Sequence, residues 1–195
     1  MFPGGIFVYK LCKTEQSAAR QRKLELGLLE VMESHPYEQI SVSELCQWLG
    51  VPRKSFYRYF SGKDGALHAL IDHTLTEYAG GNHYWLLVNQ NSVHKELETL
   101  FDFWKGQKQL LDVLQRNGLS GVLTERAVYH ALELTGMNLQ AANRSLATEQ
   151  EHATVFLSCG LMSLIVQWHY GGYVLTSRQM ADISCRILSR PLIEE

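Results

Sequence analysis

Apolar side chains in this chain recur at helical intervals and almost nowhere at the two-residue interval of a strand. From about Thr14 to Glu33, Leu24, Leu28, Val31 and Met32 stand at i, i+4, i+7 and i+8. Between Lys63 and Tyr78, the residues Leu67, Leu70, Ile71, Leu75 and Tyr78 share one face. Gly80-Gly81-Asn82 marks a break or bend. Further helical patterns follow near residues 93–116, 119–135, 148–170 and 177–189. There is no long run of strict alternation, no Asn-Gly or Asp-Gly hairpin turn and no internal repeat. The pattern predicts an all-α fold.

The stretch from Ile40 to Lys63 carries the most specific signals. Ser41-Val42-Ser43-Glu44 fits a capping box, with Ser41 at the N-cap and Glu44 reaching back to it. Ile40 and Leu45 flank the box as a hydrophobic staple. The helix is short, because Gly50 supplies the left-handed residue that ends it, and Pro52 is tolerated where a new helix begins. Helix, tight turn and second helix make a helix-turn-helix. The second helix, expected from Pro52 to Phe60, buries Phe56 and Phe60 and leaves Arg53, Lys54, Tyr57, Arg58 and Tyr59 for its other faces. Taken alone, such a pair occurs in many all-α proteins, and Arg53 and Lys54 also suit an ordinary solvated face.

Charge sharpens the choice. The 195 residues sum to −2, yet residues 1–63 hold nine Lys/Arg against six Asp/Glu, and residues 64–195 hold nine against fourteen. From Pro52 to Lys63 there are four basic residues and no acidic one. Arg and Lys can donate to guanine edges in the major groove, and Tyr and Ser hydroxyls to phosphates. The charge split therefore favours double-stranded DNA as a partner of the N-terminal half.

Other chemistries find little support. Cys12, Cys46, Cys159 and Cys185 lie far apart, with no Cys-x-x-Cys pair, and are expected as reduced thiols of a cytoplasmic protein. His68, His73, His130, His152 and His169 include no i, i+4 metal pair, so no metal is expected. Gly118-Leu119-Ser120-Gly121 is one residue short of a nucleophile elbow, and no P-loop or dinucleotide glycine pattern occurs. The chain is expected to be no enzyme and to need no cofactor. The apolar stretch Ala153 to Val166 is shorter than the ~20 residues of a membrane span. Residues 1–12 lack the features of a secretion signal, so no membrane association is expected.

The run Leu49-Gly50-Val51-Pro52-Arg53-Lys54-Ser55-Phe56-Tyr57-Arg58-Tyr59-Phe60-Ser61-Gly62-Lys63-Asp64 resembles the signature of the TetR family of bacterial transcriptional regulators. The resemblance covers residues 15–80. It implies a flexible arm over 1–14, a three-helix helix-turn-helix DNA-binding domain over 15–62, a connecting helix over 63–80, and a C-terminal helical ligand-binding and dimerisation domain over 81–195. It implies base-edge contacts from Arg53 and Lys54, with Ser55 nearby, and phosphate contacts from Tyr57, Tyr59 and Lys63. Ser41 and Ser43 would present the preceding helix to the backbone. The chain departs from the family at Lys54, where Gly is usual, at Pro52, where Ser or Thr is usual, and at Gly65-Ala66, which replaces an acidic residue and Leu. The last change is expected to loosen the start of the fourth helix.

Phe156-Leu157-Ser158-Cys159-Gly160-Leu161, with Gln167-Trp168 and Gly171-Gly172, is similar to a C-terminal type also found in the dihydroxyacetone-kinase regulator DhaS. That similarity keeps a second reading open, a co-regulator whose C-terminal half engages a protein partner. Leu157, Leu161 and Leu164 on one helix, with Met180, Ile183 and Ile187 on the next, are expected as a homodimer interface. The alternative for the first of these helices is the buried centre of a monomer. Phe101, Phe103, Trp104, Tyr129, Phe156 and Trp168 are expected around an unknown small-molecule effector, though most aromatics at helical spacing are core.

Overall fold

Thr14 opens α1 (Glu15–Ser34) by accepting the Ser17 amide on its side chain, as a residue standing before an apolar run is expected to do. The computed structural model describes residues 8–80, 93–134 and 148–189. Among those residues, α1 is followed by α2 (Val42–Trp48), α3 (Arg53–Phe56), α4 (Lys63–Gly80), α5 (Val93–Gly106), α6 (Lys108–Arg116), α7 (Ser120–Leu134), α8 (Glu149–Tyr170) and α9 (Ser177–Ser189). The expected break at Gly81 and Asn82 lies outside the described residues.

The predicted stripes reach the core. Leu24, Leu28 and Met32 of α1 meet Leu67, Leu70 and Ile71 of α4, and α4 in turn packs on α7. In α5, Leu97, Leu100, Phe101 and Trp104 are buried at helical spacing, and this helix packs on α9. The pattern near 93–116 is two helices, because the chain turns at Gly106-Gln107, where the Gln107 amide bonds back to Trp104 O at 3.0 Å. The shorter α6 then packs on α1, α7 and α8.

Two expectations are corrected. The segment before α1 is not a free arm over its described part. Tyr9 is buried, and its backbone forms an antiparallel bridge with Phe60. Lys10 N donates to Tyr59 O at 2.8 Å, and Ser61 N donates to Val8 O at 2.9 Å. Secondly, α8 has 22 residues and is long and apolar enough by length and composition to cross a membrane. Its apolar stretch, Ala153 to Val166, is shorter than the helix, because Glu149 and Glu151 stand in the first turn and Gln167 and His169 near the end. One face of α8 packs on α7, and Glu151 and Thr154 are buried within the protein.

Two bridges join the N-terminal helices to the rest. Arg126 of α7 holds Asp72 of α4 with Nε at 2.7 Å and Nη2 at 2.5 Å. Behind α6, Asn117 Oδ1 accepts the Tyr37 amide at 2.6 Å, and Arg116 Nη1 donates to Glu33 O at 2.8 Å.

Candidate nucleic-acid interface

The helix-turn-helix is built from local signals. Ser41 Oγ accepts the Glu44 amide, and the Glu44 carboxylate accepts the Ser41 amide, each at 3.2 Å. Ile40 and Leu45, the staple positions, are both buried. At the other end Gly50 takes φ +62°, while Gly50 N bonds to Gln47 O and Val51 N to Cys46 O. This is a Schellman stop, which requires a left-handed residue where glycine has no Cβ penalty. The hydroxyl of Ser41 therefore caps its own helix, and also donates to Glu44 at 2.6 Å. That bond holds the exposed Glu44 carboxyl below its usual range. Ser43 is exposed beside it.

The second helix is shorter than expected. Only Arg53 to Phe56 is α-helical, and the chain then tightens, with Tyr59 N bonding to Phe56 O at 3.0 Å. Phe56 and Phe60 are buried with ring centroids 5.0 Å apart, as expected. Arg53, Lys54 and Arg58 are exposed, Tyr57 is 48% exposed and Ser55 is half-buried. Tyr59 is a correction, for it is only 6% exposed. The tighter turn rotates it inward, and the strand-like segment from Val8 closes over it.

Lys63 is the second correction. Its Nζ donates to Tyr37 O at 2.7 Å and to Glu38 O at 3.2 Å, and lies 4.5 Å over the Tyr37 ring. The Tyr37 hydroxyl in turn donates to Asp64. Burial, and then that bond to a carboxylate, push this phenol well above its ordinary range. Lys63 thus pins the turn between α1 and α2 to the start of α4, a positioning role, rather than presenting a cation to a phosphate.

Sequence patterns missed a buried polar cluster behind this surface. Tyr9 Oη donates to Asp72 Oδ2 at 2.7 Å, on the carboxylate that Arg126 also holds. Burial, followed by the Asp72 charge, raises the Tyr9 hydroxyl far above its usual range. Glu25, fully buried on α1, is paired with His73 at 2.8 Å and Arg22 at 3.3 Å. The available sign was a Tyr in an otherwise unassigned N-terminal stretch.

In the C-terminal half, Phe101 and Trp104 are fully buried and Trp168 nearly so. Phe101 meets Trp168 edge-on at 5.4 Å, and Phe103 bridges Trp104 and Tyr78. The Trp104 indole N–H is buried without a hydrogen-bond partner among the described residues. Tyr129 sits apart, under Arg126 at 4.6 Å and bonded to Glu133. Phe156 does not join the other rings, being 73% exposed. The reason is helical phase: Trp168 faces inward with Met162 and Ile165, and Phe156 falls on the outer face with Gly160, Ser163 and Gln167. Leu157, Leu161, Leu164, Ile183 and Ile187 are half-buried, and Met180 is buried.

At the end of α8, His169 is buried between two partners. Tyr173 Oη bonds Nδ1 at 2.7 Å, and Asp112 Oδ1 lies 3.0 Å from Nε2. A neutral imidazole satisfies both, accepting from the phenol and donating to the carboxylate. Burial lowers the pKa of His169, with Asp112 opposing the shift.

Residues 27–70 match the family profile of bacterial regulatory proteins, tetR family. Over 101 residues the chain is 27% identical to the HTH-type dhaKLM operon transcriptional activator DhaS of Lactococcus lactis subsp. lactis (strain IL1403). That match spans 52% of this chain and 44% of the relative, less than half its length. Among solved structures, a putative TetR-family transcriptional regulator from Syntrophomonas wolfei shares the fold with TM-score 0.61, 14% identity, and coverage of 91% of this chain and 98% of that one. The dihydroxyacetone kinase operon activator DhaS does so with TM-score 0.55, 14% identity, and coverage of 88% and 94%.

Proposed function

We propose that this chain is a transcriptional regulator of the TetR family, whose profile residues 27–70 match, and that it acts in the cytoplasm as a homodimeric, effector-responsive repressor on a palindromic DNA operator. The observation that carries the reading is the exposed, acid-free face of α3 and its following turn. There Arg53, Lys54, Tyr57 and Arg58 stand outward on a rigid Phe56–Phe60 base. Arg53 and Lys54 read base edges, while Tyr57, Arg58 and Ser43 take phosphates and set the register. Residues 15–62 form the DNA-binding unit, α4 connects it, and the helices from α5 onward regulate and dimerise.

One short recognition segment reads too few bases to find an operator, so two copies must act together, with half-sites about one turn apart. The outer face of α8 suits that pairing. Phe156 supplies an exposed aromatic anchor beside Gly160 and Ser163, which let a second helix approach closely. The half-buried Leu157, Leu161, Ile183 and Ile187 border it.

The effector is an aromatic-lined guest of α5 and α8. Phe101, Trp104 and Trp168 are close-packed, so entry requires the rings to part. The unpartnered Trp104 N–H offers the guest a donor whose unmet bond otherwise costs about 1–3 kcal/mol. A guest that favours one spacing of the two reading units shifts the dimer's population away from DNA.

The test is equilibrium binding to the DNA flanking the protein's own gene, with wild type beside the double variant R53A/K54A. Tight wild-type binding that weakens steeply with salt and is lost in the variant supports the reading. Equal, weak binding by both proteins refutes it.

A further inference from the structure

The segment before α1 is fastened both to the end of the helix-turn-helix and to α4. Val8 O accepts from both the amide and the hydroxyl of Ser61, each at 2.9 Å. Tyr9 is buried and its hydroxyl reaches Asp72 at 2.7 Å. Lys10 N closes on Tyr59 O at 2.8 Å. Gly65 fits this arrangement, because a Cβ there would stand 2.2 Å from Val8 O. The glycine that departs from the family pattern is thus the floor on which the strap lies. The consequence for charge is specific. Tyr59, the position that the TetR resemblance assigns to a phosphate, is covered, and the residue bonded to its carbonyl is an exposed lysine.

We propose that Lys10 is an additional DNA contact, a strap-borne cation that neutralises one phosphate flanking the bases read by α3. The inference rests on the DNA-binding reading above. Lys10 is held beside the residue that follows Arg58, in a stretch from Pro52 to Lys63 without an acidic side chain to compete for it. The carboxylate that the strap itself contacts, Asp72, is already engaged by Arg126 and Tyr9. The strap backbone is already ordered, so the contact forms with little ordering cost. A lysine ammonium is a point charge on a flexible stem, suited to a phosphate and not to a bidentate base edge. Lys10 therefore adds affinity and leaves sequence preference unchanged, and Tyr9 is its positioning residue.

The experiment measures binding of the full-length protein to its operator duplex at about 50 and 200 mM salt, where each neutralised phosphate adds about 0.9 to the slope of log K against log salt. Wild type is compared with Lys10→Ala and with Lys95→Ala, which removes the same charge from an exposed position on α5. Lys10→Ala, which removes one contact from each protomer of the dimer, is expected to lower the slope by about 1.8, so that wild type loses roughly 12-fold more affinity than the variant across that interval. Its preference among operator sequences stays that of wild type, and Lys95→Ala keeps the full slope. An unchanged slope in Lys10→Ala, in a protein whose binding still depends on Arg53, overturns the proposal and leaves the DNA reading standing. An equal fall in Lys95→Ala overturns it too, since the effect is then net charge alone. A wild type that binds no duplex removes both.

Discussion

Gly65 shows how one residue can look like a defect in sequence and prove a fitted contact in structure. From the family pattern, a glycine in the first turn of α4 is expected to weaken it, because glycine loses more backbone freedom than other residues. Its backbone φ is unexceptional, and what selects glycine is the Val8 carbonyl lying against it. Gly65→Ala is therefore expected to push the strap away. Hydrogen exchange at the Lys10 amide should quicken, and stability should fall by about 1–3 kcal/mol. Unchanged exchange at Lys10 would show that the strap is not seated there. Tyr59 and Lys63 carry the complementary lesson. Their residue types suit phosphate contacts, and periodicity leaves both outside. Neither the tightening after Phe56 nor the Tyr37 carbonyl beneath Lys63 has any trace in local spacing.

Among the elements, the legible ones are those specified by their neighbours in sequence. The capping box at Ser41, the stop at Gly50 and the stripes of α1, α4 and α5 follow from residues three or four positions apart. Contacts between distant segments could not be seen this way. Tyr9, Asp72 and Arg126 are 63 and 54 residues apart, yet share one buried carboxylate. Asp72 joins three elements, the strap, α4 and α7, so its loss should be felt well beyond α4. Asp72→Asn leaves the Arg126 guanidinium largely buried without a counter-charge, which is expected to cost about 3–5 kcal/mol. Chemical denaturation checks this, and a change within about 0.5 kcal/mol would show that the pair carries no structural weight. Arg126→Met, which removes the cation as well and keeps much of its volume, should lose less when combined with Asp72→Asn than the carboxylate change loses alone.

At the scale of the whole molecule, two properties follow from what is buried and what is not. His68, His130 and His169 all have lowered pKa values, in each case chiefly through burial. A histidine that binds its proton less readily when folded gives stability that is complete above its unfolded pKa of about 6.5, and lost as pH falls from there through the lower folded value. The thermal midpoint is thus expected to be a few degrees lower at pH about 5.5 than at pH about 7.5. For His169 the cause is local, since a second proton leaves Nδ1 no lone pair to accept the Tyr173 hydroxyl. A flat midpoint over that range would contradict the assignment.

The outer face of α8 is the other property. Because Phe156 is exposed in the protomer, Phe156→Arg should leave the fold intact while halving the mass measured by light scattering. An unchanged dimer mass would place the interface elsewhere. The charge reversal between the two halves was legible from composition, whereas the exposure of single side chains was not. Helical spacing alone did not show that Met180 turns inward and Phe156 outward. The central claim remains that two copies of α3 read an operator together. Selection from randomised duplexes tests it most directly. The account predicts enrichment of an inverted repeat with half-sites about one helical turn apart, retained by Phe103→Leu and lost by R53A/K54A. Recovery of sequences no more alike than the starting pool would contradict it.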